Sequence, residues 1–385
     1  MRTLFRADQL FDGTRLRQHA WILVEDGRIA AIDNCEPPGD CVLVDYGDAT
    51  LLPGLIDGHV HLGFDASRDP VAQMRADSDA TLLLRMRNAA QRALAGGVTT
   101  VRDLGDRDYL GNALRDWYRF GAEIGPEILT AGPPVTVTGG HCWFMGGEAD
   151  GELEVRRGVR ARIKAGVDVI KIMATGGHMT RGTNPSLPQY SVAEIRAAVD
   201  EAHRLGRLVT AHAHGPTGIA NAVEAGVDCI EHCSFRVGGG RQPDPHLVER
   251  IAESRVAVCP TVGTLGTGGP LAESFLPILE HMHRAGVRLV GGTDAGISPM
   301  KPHDVLPHGV AFLAHAGLSN TEALSAATAV AAEACGVSDR KGAIAAGKDA
   351  DLLVVDGNPI QDLSALLKVK AVYRGGELCS AVGQR

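Results

Sequence analysis

A helix that ends in glycine, followed by valine and a short β-branched run, recurs along this chain. Gly97-Val98, Gly166-Val167, Gly226-Val227 and Gly286-Val287 each join a helical pattern to an apolar strand pattern. Glycine takes the left-handed conformation that ends a helix, and a β-branched residue then favours extended backbone. Apolar strands alternating with helices at this rate imply βα units and a parallel sheet. The other helical signals agree. Met74 to Leu94 reads as one long helix, and Ser191-Val192-Ala193-Glu194 is a capping box ahead of Ile195 to Leu205.

About eight strand candidates follow residue 53, near 53–61, 98–103, 127–131, 167–173, 207–213, 227–232, 256–260 and 287–294. Eight such units suggest an α/β fold of the (β/α)8 TIM-barrel type. An open doubly wound sheet is the alternative, but it wants a GxGxxG turn after an early strand and none is present. The ends of the chain have a different texture. Ala20–Val24 and Arg28–Ile32 flank an Asp26-Gly27 hairpin signal, Cys41–Asp45 adds a strand, and Asp351–Val355 and Val369–Arg374 return to strands. The expected organisation is therefore a small β-sandwich domain from residues 1–52 and 342–385, beside a barrel over 53–341.

Charge and cysteine usage exclude several classes. The net charge of -8, with no basic run, argues against a nucleic-acid or anionic-membrane partner. Eight cysteines with no CxxC are too few for a disulfide scaffold. Cys229 and Cys233 flank His232 at a weak zinc spacing, and small buried residues are the preferred reading. Met1 to Asp8 carries no apolar core of a signal peptide, and no apolar run approaches ~20 residues. A cytoplasmic location is the resulting expectation.

Chemistry in such a barrel sits where the strands end. The first ends in His59-Val60-His61, whose side chains share one side because a strand alternates with period two. The fourth carries Lys171, and the fifth ends in His212-Ala213-His214. The sixth ends in His232 and the eighth in Asp294. Imidazoles and a carboxylate in that number exceed what one tetrahedral zinc needs, so two metals fit the composition. Lys171, between Ile170 and Ile172, is the odd member, because an ammonium cannot bind a cation. A Schiff-base lysine, a core lysine paired with an acid and a lysine modified into an anion remain open for it.

The motifs Pro53-Gly54-Leu55-Ile56-Asp57-Gly58-His59-Val60-His61, Val169-Ile170-Lys171-Ile172, Ala211-His212-Ala213-His214-Gly215, Ile230-Glu231-His232, Gly292-Thr293-Asp294-Ala295-Gly296 and Ala346-Gly347-Lys348-Asp349-Ala350-Asp351-Leu352 together resemble the metal-dependent amidohydrolase superfamily. The resemblance spans essentially the whole chain. Thr138-Gly139-Gly140-His141 and Pro307-His308-Gly309 are similar to the branch of Xaa-Pro and Xaa-Arg dipeptidases, whose relatives include imidazolonepropionase. The resemblance implies two divalent ions, Zn2+ by expectation. His59, His61 and Asp294 would hold the first and His212 and His232 the second, with a carboxylated Lys171 bridging them. It further implies hydrolysis of an amide C–N bond by a metal-bridging hydroxide, with Asp294 and Lys171 as the catalytic groups and Asp294 as general base and acid. The partner would be a small-molecule amide: a dipeptide, an N-acyl amino acid or a related natural product. A homo-oligomer is an open expectation.

His141, His214, His178, His308 and Tyr190 are candidate substrate contacts, and Arg181 could pair with a substrate carboxylate although a solvated arginine is the plainer reading. Cys142 and Cys233 stand where the branch pattern has glycine, and Phe235 where many relatives carry tyrosine. The loop from Pro134 to Gly151 and the glycine-rich stretches 237–240 and 263–269 are expected to wall the pocket. A deaminase or cyclic-amide hydrolase of the same superfamily, and a non-catalytic metal-binding relative, are the competing functions.

Overall fold

The computed structural model of the protein describes residues 2–35, 38–121, 123–266 and 273–381. The remaining parts of the expected terminal domain, and residues 267–269 of the expected glycine-rich wall, lie outside them. Trp21–Glu25 and Arg28–Asp33 form the expected hairpin. Its turn residues Asp26 and Gly27 have φ of 48° and 78°, the backbone whose twist matches the flanking strands. Arg2–Arg6 and Val42–Asp45 complete a four-stranded sheet.

A second sheet runs in the order Glu377–Ala381, Val369–Arg374, Leu352–Val355, Thr50–Pro53, Gln9–Phe11, Leu16–Gln18, so strands from both ends of the chain share it. Phe5, Ile22 and Val24 from the first sheet and Leu10, Leu51, Val354 and Tyr373 from the second form one buried cluster. Gly54 then carries the chain into the parallel part. A Cβ there would lie 2.2 Å from Thr99 Oγ1, so only glycine permits the approach.

The parallel part has two hydrogen-bonded sheets. One orders Glu127–Thr130, Val98–Asp103 and Leu55–Val60; the other orders Val169–Met173, Leu208–Ala213, Cys229–His232 and Ala257–Cys259. Single parallel bridges Val135 to Ile172, Val258 to Leu289 and Val60 to Ala295 link their edges. Both faces of these strands are buried, as their uninterrupted apolar runs require. Gly166, Gly226 and Gly286 take φ of 88°, 84° and 82° where the preceding helices end.

Two expectations are corrected. Residues 287–294 form no regular strand; isolated bridges at Leu289 and the adjacent Ala295, and single hydrogen bonds such as Val290 N to Val258 O at 2.8 Å and Asp294 N to His59 O at 2.7 Å, hold them against their neighbours. The cause is local: Gly291 and Gly292 sit where a Cβ would meet Ala327 at 2.9 Å and Cys259 Sγ at 2.4 Å, and Asp294 turns to φ 60°. Met74 to Leu94 is not one helix but parts of two, Pro70–Ala76 and Asp79–Ala95. Asp77 is extended, and Ser78 caps the second helix by accepting from Thr81 N at 3.2 Å; the cap outweighs the continuing apolar period. The capping box at Ser191 and Glu194 forms and heads Val192–Arg204.

The tail is fastened to the parallel sheet by charge. Glu127 accepts from Arg340 at 2.6 Å and lies 3.0 Å from Lys341, whose ammonium is buried beside Asp349 and Asp351. All eight cysteines are free.

Candidate active site

The ends of the parallel strands converge on one cavity of about 360 Å³. His59, His61, Lys171, His212, His232 and Asp294 line it together with His141, His178 and His214. His59 Nε2 lies 3.3 Å from His61 Nε2, and each lies 3.4 Å from Asp294 Oδ1. Ligands bonded to zinc at about 2.0–2.1 Å in a tetrahedron are separated by roughly 3.4 Å, so these three atoms already have the spacing of one coordination face. The ligand atoms of His212, His214 and His232 lie within 4.8 Å of one another, as do those of His59, His232 and Asp294. His232 stacks on His214 with centroids 4.4 Å apart and meets His212 at 4.5 Å.

Neighbouring groups fix which ring nitrogen of each histidine is free. Glu231 Oε2 lies 2.7 Å from His59 Nδ1, leaving Nε2 to face the cavity. His61 Nδ1 faces Gly105 O at 3.3 Å, and His212 Nε2 faces Gly176 O at 3.0 Å. His232 Nδ1 lies 2.8 Å from Thr261 Oγ1. Burial is the largest influence on these rings, and the Lys171 amine adds to it. Together they lower His59 to about 4 and His141 to about 3, and hold His212 and His232 well below the ordinary value. Neutral imidazoles are the form that binds a cation.

Asp294 is ionised. Burial would raise its carboxyl, but His59, the hydrogen bond with His61 and Lys301 hold it far below the usual range. Asp57 positions it, accepting from Thr293 N at 3.0 Å and Thr293 Oγ1 at 2.7 Å. Lys301 Nζ donates to Thr261 O and Thr293 O, both at 2.7 Å, and so ties two cavity loops together.

Lys171 is 1% exposed, and its Nζ has no hydrogen-bond partner. Burial lowers its pKa against the pull of Glu231 and Asp294. An orphaned buried amine is costly unless something completes it. This orphan and the surrounding neutral imidazoles and carboxylate are the donor set that divalent cations require, so the residues fit metal at this site.

The other candidates divide. His141 is buried, with Nδ1 3.0 Å from Thr180 Oγ1 and its ring 4.6 Å from that of His212. His178 lies at the mouth, 5.6 Å from the His214 ring. Tyr190 is a correction: it does not line the cavity, and its hydroxyl donates to Ala149 O at 2.6 Å inside the core. His308, on the helix Leu306–His315, and the exposed Arg181 also stand outside the lining. Cys142 has φ 58°, Cys233 47° and Phe235 51°, so the two cysteines occupy left-handed positions that suit glycine. Cys229 and Cys233 form no ligand group among the described residues; Cys229 Sγ instead lies 3.7 Å from Arg102 Nη2. Glu231, Arg102, Asp57 and Lys301 were not assigned roles by sequence reasoning. A buried acid directly before a ligand histidine was the available signal for Glu231.

The sequence pattern of the amidohydrolase family matches residues 50–379, and the chain belongs to that family. It is a hydrolase with a mixed α/β fold, and it is similar to several characterised proteins. The ochratoxinase of Aspergillus niger is 30% identical over 383 residues, covering 86% of this chain and 76% of that one. The imidazolonepropionase of Symbiobacterium thermophilum is 26% identical over 377 residues, covering 87% and 83%. A solved Xaa-Pro dipeptidase with bound methionine in its active site matches with a TM-score of 0.88 at 29% identity, over 98% of this chain and 99% of that one. Among the described residues, no helix is long and apolar enough to cross a membrane.

Proposed function

We propose that the chain hydrolyses an amide C–N bond in a small molecule, such as a dipeptide or N-acyl amino acid, at a two-metal site built from His59, His61, Lys171, His212, His232 and Asp294. The observation that carries this reading is the buried, partnerless Lys171 amine facing neutral histidines and an ionised aspartate. A neutral amine takes up carbon dioxide and releases a proton, becoming a carbamate anion. That anion would bridge the two cation positions, one at His59, His61 and Asp294 and the other at His212 and His232. Two divalent ions, Zn2+ by the donor set, would polarise the amide carbonyl and acidify water toward neutral pH.

The chain's own groups do the rest. Glu231 and the Gly105 carbonyl hold His59 and His61 in one tautomer. Asp294, fixed by the Asp57–Thr293 contact, accepts the proton of the attacking water and hands it to the leaving nitrogen. His141 and His214 stand beside the ligands as contacts for the developing oxyanion or the substrate. The bridged strands close as a (β/α)8 barrel in this reading, and the paired terminal sheets form a sandwich beside it over 1–52 and 342–385.

The test is a product screen. Zinc-loaded enzyme meets dipeptides, N-acyl amino acids and cyclic amides, with free amino acid and ammonia detected separately. Release of amino acid with two metals per chain is the expected result. Ammonia alone would replace the reading with a deaminase, and metal binding without turnover of any amide would replace it with a non-catalytic metal-binding role.

A further inference from the structure

Thr180 lies on the loop that follows Val169–Met173, and it binds the loop that carries His141. Its Oγ1 lies 3.0 Å from His141 Nδ1 and accepts from Cys142 N at 2.8 Å. Both side chains are buried. The backbone of His141 is held as well: its N donates to Gln189 Oε1 at 2.7 Å, and Gln189 Nε2 donates to Thr136 Oγ1 at 3.0 Å and Met173 O at 3.1 Å. The far side of the ring rests on Gly177. A Cβ there would come 2.3 Å from Nε2, so the loop seats the imidazole only with glycine at that position.

This contact set decides where one hydrogen sits. An amide N–H can only donate, so Cys142 N occupies one lone pair of the Thr180 hydroxyl. The hydroxyl's own hydrogen needs an acceptor, and among the described residues His141 Nδ1 is the one within reach. A buried hydroxyl hydrogen left unpaired is costly, so Nδ1 accepts. Burial keeps the ring neutral, which puts its single hydrogen on Nε2. Nε2 makes no hydrogen bond among the described residues, and His141 lines the cavity with its ring 4.6 Å from that of His212. The Nε2 hydrogen is thus left for a ligand.

We propose that Thr180 is a positioning residue that fixes His141 as an Nε2–H donor, aimed at the carbonyl oxygen of the scissile amide. The inference rests on the amide-hydrolase reading above and assigns His141 one of the roles left open there. Without the Thr180 hydroxyl the ring is free to move its hydrogen to Nδ1, which turns a bare lone pair toward the carbonyl. A lone pair repels the negative charge that grows on that oxygen as the carbon is attacked, whereas an N–H stabilises it. His141 keeps its hydrogen throughout; the proton for the leaving nitrogen comes from Asp294. A donor that strengthens as charge develops acts on kcat more than on KM.

The first test is NMR of the zinc-loaded full chain with isotopically labelled histidine, which reads the hydrogen on each ring nitrogen. The His141 signals are those missing from H141Q. Hydrogen on Nε2 alone is the expected result, and hydrogen on Nδ1, alone or on both nitrogens, would overturn the proposal. This measurement needs neither turnover nor a Thr180 variant, so it decides the assignment even if T180V does not fold.

Kinetics on N-acetyl derivatives of leucine, methionine and phenylalanine, and on the corresponding dipeptides with alanine, test the consequence. T180V should lower kcat about 10–100-fold with KM changed less than about 3-fold. T180S keeps the hydroxyl and should recover kcat to within about 3-fold of wild type. In an H141Q background T180V should cost less than about 3-fold more, because the two residues act as one unit. Wild-type kcat in T180V, a loss confined to KM, a loss that T180S shares, or a full loss in the H141Q background would each overturn the positioning role and leave amide hydrolysis standing. If no amide is turned over, the amide-hydrolase reading fails instead, and the NMR result alone decides whether Thr180 holds His141 in this tautomer.

Discussion

Glu231 Oε2 lies 2.7 Å from His59 Nδ1, and neither side chain is more than 1% exposed. The other oxygen of the same carboxylate accepts from Arg102 Nη2 at 2.9 Å. One buried acid thus orients a metal-facing imidazole and neutralises a buried arginine, which also donates to Gly58 O at 2.7 Å. Burial would raise Glu231, but Arg102 and His59 hold it ionised far below the usual range.

E231Q keeps the shape and removes the charge. Zinc affinity should fall about 10–100-fold, read by competition with a chelator. Stability should fall by about 3 kcal/mol, because Arg102 loses its buried partner. Unchanged zinc affinity in the folded variant would sink the orienting role.

Lys171 carries the opposite prediction. Its amine is buried without a partner, so an apolar side chain of similar length relieves a desolvation cost. In chelator, K171M should unfold at higher urea concentration than wild type, by about 1–3 kcal/mol. In zinc it should lose nearly all turnover. A variant less stable than wild type without metal would mean that Lys171 has a structural partner.

The tail network predicts acid sensitivity. Burial would raise Glu127, but Lys341, Arg340 and Arg374 lower it from 4.5 to about 2. A depressed carboxyl contributes stability that is complete above the unfolded value and is lost as pH falls through the folded one. Wild type should therefore lose stability progressively from about pH 4.5 toward pH 2. E127Q should be weaker at neutral pH by about 2 kcal/mol and should show a shallower decline in that window, measured by urea unfolding across pH.

Tyr190 is bound into the core by its hydroxyl. Y190F should leave kcat and KM as they are and cost about 1 kcal/mol, since only the hydrogen bond to Ala149 O is lost. A change in KM for any amide substrate would restore it to the pocket.

The sequence by itself determined which residues could carry chemistry and on which elements they ride. Glycine caps, the Ser191 capping box and period-two alternation are local signals, and they placed His59, His61, Lys171, His212, His214 and His232 at or near the ends of parallel strands, while Asp294 ends a segment that forms no regular strand. Local signals have a short reach. The break at Asp77-Ser78 was hidden because an apolar period continued through a stronger cap. What only the tertiary structure decided depends on packing between distant segments: Glu231 beneath His59, Arg102 beside Glu231, Lys301 across two loops and Thr180 beside His141. It also took Tyr190 and His308 away from the cavity, because the direction of a side chain off a loop or helix end follows from what packs against it, and spacing along the chain carries no record of that.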